Sequence, residues 1–219
     1  MSLKQLQELN KAYQIHSIQD ESFKTYGKII EEDVQDAIAY VLANVHPPKI
    51  GNCYEPSIQV IEEYSSIQRL SQKVYGYMDV MAGIVAGHND VLNGIEYHQG
   101  SETIVAVTDY VLVVGHLWDM LDDTYDSSLC EIFYVPQGTI IELWSTTLHY
   151  TPICVSDEGF LTICLLLRGT GDKLLKREGI LKKKNKWFIA HYDNKEKVDL
   201  GDYPGLTGKM IQIKYKNEV

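Results

Sequence analysis

Apolar residues along the chain follow two rhythms. From Met1 to about Tyr75 they recur mainly at helical spacing. Val34, Ala37, Ile38, Val41, Leu42 and Val45 stand three and four residues apart, which places them on one helical face. Asp33 can cap that helix, and Pro47-Pro48 lie beyond its end. Pro56-Ser57 opens a second helix, with Ile58, Ile61, Ile67, Leu70 and Val74 on one side and Gly76 to end it. Ahead of Asp33, Tyr13 to Ile18 and Thr25 to Ile30 can form short strands. From Tyr77 to Leu167 the pattern changes to short apolar runs between turn residues. The turns are Gly87-His88-Asn89-Asp90, Gln99-Gly100, Thr108-Asp109, Pro136-Gln137-Gly138 and Asp157-Glu158-Gly159. Turns spaced roughly ten residues apart predict a sandwich or barrel of antiparallel strands. Asp119 to Ser128, with four aspartates and no apolar period, reads as a surface loop joining two halves of the barrel. The turn at Asp157 pairs Cys154 with Thr162. Further strands are expected at Trp187 to His191 and Met210 to Tyr215. The chain is expected to be one compact unit, with residues 1–76 a helical extension packed on a barrel formed by 77–219.

Composition narrows the partners. Of 219 residues, 45% are hydrophobic and 23% charged, which excludes a disordered chain. With 20 basic against 30 acidic side chains the net charge is −10, so the molecule repels phosphate backbones and no nucleic-acid partner is expected. No stretch approaches the roughly 18 consecutive apolar residues of a membrane helix, and the start of the chain lacks an apolar signal region. Cys53, Cys130, Cys154 and Cys164 are scattered, which suits reduced, mostly buried thiols of a cytoplasmic protein. Lys173, Lys176, Arg177, Lys182, Lys183, Lys184 and Lys186 form a basic cluster, read here as a solvated face.

Candidate chemistry concentrates in Gly94-Ile95-Glu96-Tyr97-His98-Gln99-Gly100-Ser101-Glu102. Alternation along a strand puts Glu96 and His98 on one face and Ile95 and Tyr97 on the other. A turn at Gln99-Gly100-Ser101 then lets Glu102 point into the same space. Two carboxylates and an imidazole supply the oxygen and nitrogen donors of a divalent metal site for Zn, Mn, Fe or Ni. Carboxylates converge inside a barrel only if a cation, a proton or an arginine compensates them. A distant strand must complete the set, and His149, in the β-forming run Leu148-His149-Tyr150, is the candidate. Glu142 is a candidate general base in the cavity, the alternative being a solvated strand residue. Arg168, at the end of Leu165-Leu166-Leu167, can reach a substrate carboxylate, or can neutralise a glutamate or cap the sheet edge.

The order Glu-x-His-x-x-x-Glu, a strand, a loop, then Pro136-x-Gly138 and a later His resembles the two motifs of the cupin superfamily. That resemblance implies a mainly β fold, an antiparallel double-stranded β-helix (jelly roll), here with N-terminal helices. It implies a metal held by His98 and Glu102, with Glu96 where the family usually has its first His. The last ligand usually lies three residues after the glycine, where this chain has Ile141. His149, eleven residues after Gly138, can serve only if the strand order returns it to the cavity.

Within the superfamily the chain resembles a bacterial cytosolic group distantly similar to ureidoglycolate lyases, through His98-x-x-Ser101-Glu102-Thr103-Ile104, the strand Tyr110-Val-Leu-Val-Val, and His149 before Pro152. A metal-dependent lyase or isomerase for a small hydroxy, keto or sugar acid is the implied activity. The alternatives are a non-catalytic metabolite-binding barrel and a metal-free barrel whose carboxylates contact substrate directly. A homodimer is the expected assembly.

Overall fold

The computed structural model describes residues 1–216, so the last three positions of the 77–219 stretch lie outside the described residues. Residues 1–76 contribute helices α1 (Leu3–Leu9), α2 (Gln35–Asn44), α3 (Gln59–Glu63) and α4 (Ser65–Tyr75), and also strands β1 (Ile15–Ser17), β2 (Gly27–Ile29) and β3 (Asn52–Glu55). The helix expected from Pro56 to Gly76 is two helices. Tyr64 between them takes an extended conformation, and Gly76 in the left-handed region closes α4. The strands that follow are β4 (Val80–Gly87), β5 (Gly94–Tyr97), β6 (Glu102–Ala106), β7 (Tyr110–His116), β8 (Tyr125–Asp126), β9 (Glu131–Val135), β10 (Ile140–Leu143), β11 (Thr147–Leu148), β12 (Ile153–Cys154) and β13 (Phe160–Leu167). A hairpin of β14 (Leu181–Lys183) and β15 (Lys186–Ala190), a short α5 (Lys195–Asp199) and β16 (Leu206–Thr207) complete the chain.

The first sheet runs β2-β10-β6-β13-β4-β3. The second runs β1-β9-β7, with β11 and β12 both paired to β7. β5 joins β11 through a bridge between Glu96 and His149, and β15 extends beyond β5. From β4 to β13 the chain passes back and forth between the two sheets, giving the orders β4-β13-β6-β10 and β5-β11-β7-β9. This is the double-stranded antiparallel β-helix that the cupin resemblance implies.

Alternation sorts the side chains into layers. On β6 and β13, Ile104, Ala106, Phe160 and Cys164 face the barrel interior with Leu112, Phe133, Ile141 and Leu143. Val105, Ile163 and Leu165 face outward, under α2 and α4. Both faces are buried, which is why these strands read as unbroken apolar runs. Gly83 on β4 shows how tightly β3 is laid on. A Cβ there would be driven into the Glu55 carbonyl. Gly83→Ala is therefore expected to lower stability by about 1–3 kcal/mol, an overpacking cost. The check is a urea midpoint, and a midpoint equal to wild type would show that β3 can shift freely.

Three expectations are corrected. β12 pairs with β7, matching Cys154 with Tyr110, so Cys154 is not opposite Thr162; Thr162 pairs with Val85 and Ala106. The turn at Asp157 crosses between sheets and does not close a hairpin. Met210 to Tyr215 forms no strand, only a bridge between Val91 and Gln212. The acidic segment from Asp119 to Ser128 links two neighbouring strands of one sheet, β7 and β9, and carries β8, where the buried Tyr125 pairs with Leu206. Among the described residues no helix is long and apolar enough to cross a membrane. All four cysteines are free thiols; Cys154 and Cys164 are buried.

Candidate metal centre

At one end of the barrel the apolar interior gives way to Glu96, His98, Glu102 and His149. β5 places Glu96, and the turn after it, with Gly100 at φ 86°, returns the chain so that Glu102 opens β6 on the face of Ile104. His149 is brought in by pairing. Its backbone N–H donates to the Glu96 carbonyl at 3.0 Å, and the Glu96 N–H donates to its carbonyl at 2.7 Å. Residues that exchange both bonds across an antiparallel pair present their side chains on the same face. The ten residues between Gly138 and His149 thus span β10, the crossover and β11 on the facing sheet. Ile141, at the position where cupins usually carry a ligand, is fully buried in the apolar interior.

Donor atoms of Glu96, His98 and His149 lie within 4.8 Å of one another. Both histidines are buried, and their rings stand edge to face at 5.1 Å. His149 Nδ1 donates to the Thr147 carbonyl at 2.9 Å, while Nε2 lies 2.8 Å from Glu102 Oε2. Burial by itself would lower the His149 pKa, but the Glu102 carboxylate outweighs it and holds the ring above its ordinary value. Burial likewise opposes ionisation of Glu102, and His149 reverses the balance, keeping the carboxyl below its usual range. A divalent ion and a proton therefore compete for Nε2.

His98 Nε2 has no partner within normal hydrogen-bond distance. It is buried and stands 3.6 Å from Glu96 Oε1, while Nδ1 stands 3.6 Å from Glu102 Oε2. A buried orphan nitrogen facing two carboxylates and a second imidazole fits a divalent ion. The described residues that would hold it are Glu96, His98 and His149, with Glu102 against both rings.

Lys186, expected from sequence on a solvated basic face, belongs to the site instead. It begins β15, which pairs with β5, and its Nζ lies 2.8 Å from Glu96 Oε1. Burial opposes the charge on both groups. Their mutual attraction prevails, raising the lysine and holding the glutamate well below the usual carboxylate range. Lys182 also turns inward, to the buried Asp202 at 2.6 Å. The basic cluster is therefore only partly a solvated face. The one signal available was alternation: in Lys186-Trp187-Phe188-Ile189, the lysine shares a face with Phe188 and so with Glu96, opposite Trp187, which stacks on Tyr97 at 5.1 Å.

Glu142 and Arg168 are not in this site. Glu142 lies between the inward-facing Ile141 and Leu143, so it points out of the barrel, to Lys28 at 3.0 Å. Arg168 lies outside as well. It donates to Glu62 and Asp79 at 2.9 Å each, and so neutralises acids beyond the end of β13. The cavity over the site has a volume of about 200 Å³ and is walled by Tyr54, Tyr150, Leu166, Phe188 and three lysines besides Glu96, Glu102 and His149.

A jelly-roll barrel that gathers a Glu-His-His set with both histidines buried at one mouth has the cupin-like fold and a candidate divalent-metal site. The chain belongs to the family described as a domain of unknown function (DUF4867), which matches residues 15–211. No curated protein matches it. Similar solved structures include EvdO2 of Micromonospora carbonacea var. aurantiaca complexed with 2-oxoglutarate, at 11% identity, 66% of this chain, 87% of that one and a TM-score of 0.46. Bacillus subtilis oxalate decarboxylase, a protein with Mn(II) centres, is similar at 12% identity and a TM-score of 0.32, over 44% of this chain. The match spans 24% of the oxalate decarboxylase chain.

Proposed function

We propose that this protein is a metal-dependent lyase or isomerase acting on a small hydroxy, keto or sugar acid. The observation that carries the reading is the set of Glu96, His98 and His149, with an orphan nitrogen on the buried His98, beside a cavity that Glu96, Glu102, His149 and three lysines line. The motif likeness to ureidoglycolate lyases supports the same class of substrate. A bound divalent ion supplies Lewis-acid polarisation of a carbonyl or hydroxyl oxygen. Glu102, which loses its bond to His149 Nε2 when the ion takes that nitrogen, is the carboxylate that would move a proton inside the cavity, a role for which Glu142 was one candidate from sequence. Lys186 fixes Glu96, and the apolar walls of Leu166 and Phe188 limit water. A cavity of about 200 Å³ falls below the roughly 300–1,000 Å³ typical of drug-sized ligands, which suits a compound of a few carbons.

The test is elemental analysis of protein purified without a histidine tag, followed by an NMR screen of hydroxy, keto and uronic acids before and after chelation. The expected result is about one metal per chain and a turnover that chelation removes while the circular dichroism spectrum stays unchanged. Turnover that survives complete metal removal would sink the metal-dependent reading. A second reading has its own support. Each site carboxylate already has a cationic partner, Lys186 or His149, so the barrel is consistent as a binding protein that holds an acid without converting it. Saturable binding with no product in the same screen would select it.

A further inference from the structure

The inference rests on the small-acid reading of this cavity and concerns what selects the acid. The β14–β15 hairpin brings Lys182, Lys183 and Lys186 to the cavity wall. Asp202 holds Lys182, and Glu96 holds Lys186. Lys183 has no acidic partner among the described residues. In a regular strand two consecutive side chains point to opposite faces. Here the register against β15 shifts between Leu181 and Lys183, and both Lys182 and Lys183 line the cavity. Irregularities of this kind re-aim side chains and are frequent beside functional sites.

The arrangement has an electrostatic cost. Burial first, then the charges of Lys186 and Lys182, lower the Lys183 pKa. Lys183 is itself exposed at the rim of the cavity, so its ammonium meets both the cavity and solvent. An anion seated beside Lys183 lessens the repulsion among these ammonium groups; the carboxylates that share the cavity, Glu96 and Glu102, are already paired with Lys186 and His149, and the rings of Tyr54, Tyr150 and Phe188 complete the wall.

We propose that Lys183, with Lys186 beside it, receives the carboxylate of the small acid, so that the bulged hairpin selects anionic compounds over neutral ones. The experiment is calorimetric titration of metal-free and Mn²⁺-loaded protein. The probes are glycolate and glucuronate, each against its uncharged counterpart, glycolamide or glucose. Wild type is compared with Lys183→Met and with Lys173→Met, an exposed lysine of the same basic segment. At least one acid is expected to bind wild type about tenfold or more tighter than its counterpart. Lys183→Met should erase that preference without changing Mn²⁺ affinity, and Lys173→Met should retain it. Acids that bind no better than their counterparts, or an acid affinity indifferent to Lys183→Met, overturn the proposal. Mn²⁺ titration reports separately on the metal reading. Absent Mn²⁺ binding with Lys183-dependent acid selectivity removes the metal and leaves the anion site, and the reverse pattern removes the anion site alone.

Discussion

Replacing His98 by alanine is expected to abolish metal-dependent stabilisation while sparing the metal-free fold. An ion present at about 100 times its dissociation constant adds about 2.7 kcal/mol to a protein that binds it only when folded. For a chain of this size each kcal/mol moves the melting temperature by about 2–4 °C, so wild type should rise by roughly 5–11 °C with saturating Mn²⁺ or Zn²⁺. His98→Ala should show almost none of that rise. Its metal-free melting point should stay close to wild type, because removing the unpaired, buried Nε2 relieves a desolvation cost of about 1–3 kcal/mol that offsets the lost packing. The two melts separate a ligand from a packing residue: packing would show in the metal-free melt, ligation only in the loaded one. Arg168→Met, outside the barrel, is the control and should keep the full metal shift. A metal shift in His98→Ala equal to wild type would exclude the site.

Lys186→Met should produce the largest loss of stability in the metal-free protein. It strips the countercharge from Glu96, whose carboxylate is almost wholly buried, and breaking such a pair on one side costs about 3–5 kcal/mol. By the same scaling the melting temperature should fall by at least roughly 6 °C. Two further measurements make the result specific. Saturating metal should recover part of the loss, since the ion supplies positive charge at the same carboxylate. The double variant Lys186→Met with Glu96→Gln should be more stable than Lys186→Met alone, because the stranded charge is then gone. A double variant no better than the single one would assign the loss to packing of the lysine stem.

The strand content, the turn positions and the clustering of Glu96, His98 and Glu102 were legible because they are local. Period-two alternation puts two of these side chains on one face, and a glycine-containing turn returns the third within seven residues. The N-terminal strands were legible only as possibilities, since three-residue strands such as β1 and β2 carry too little pattern to separate from loop. Glu142 was misread for a related reason. Alternation says that it opposes Ile141 and Leu143, but not which of the two faces is the interior, and one step of phase moves a carboxylate from the cavity to the outer surface. Arg168 follows a buried strand, and only the positions of Glu62 and Asp79 show that its charge is already taken.

By itself the sequence determined the class of fold and the short-range half of the site, because both depend on spacing along a few residues. The tertiary structure alone decided three things. It set His149 opposite Glu96, through the pairing of β5 with the strand that follows β10. It brought Lys186 from about ninety residues downstream onto the same carboxylate. It also turned Lys182 and Lys183 to one side by a shift in register. Each is a contact between segments remote in the chain, fixed by which strands pair and in what register, and backbone hydrogen bonds that any residue can make leave no mark of that choice in the order of side chains.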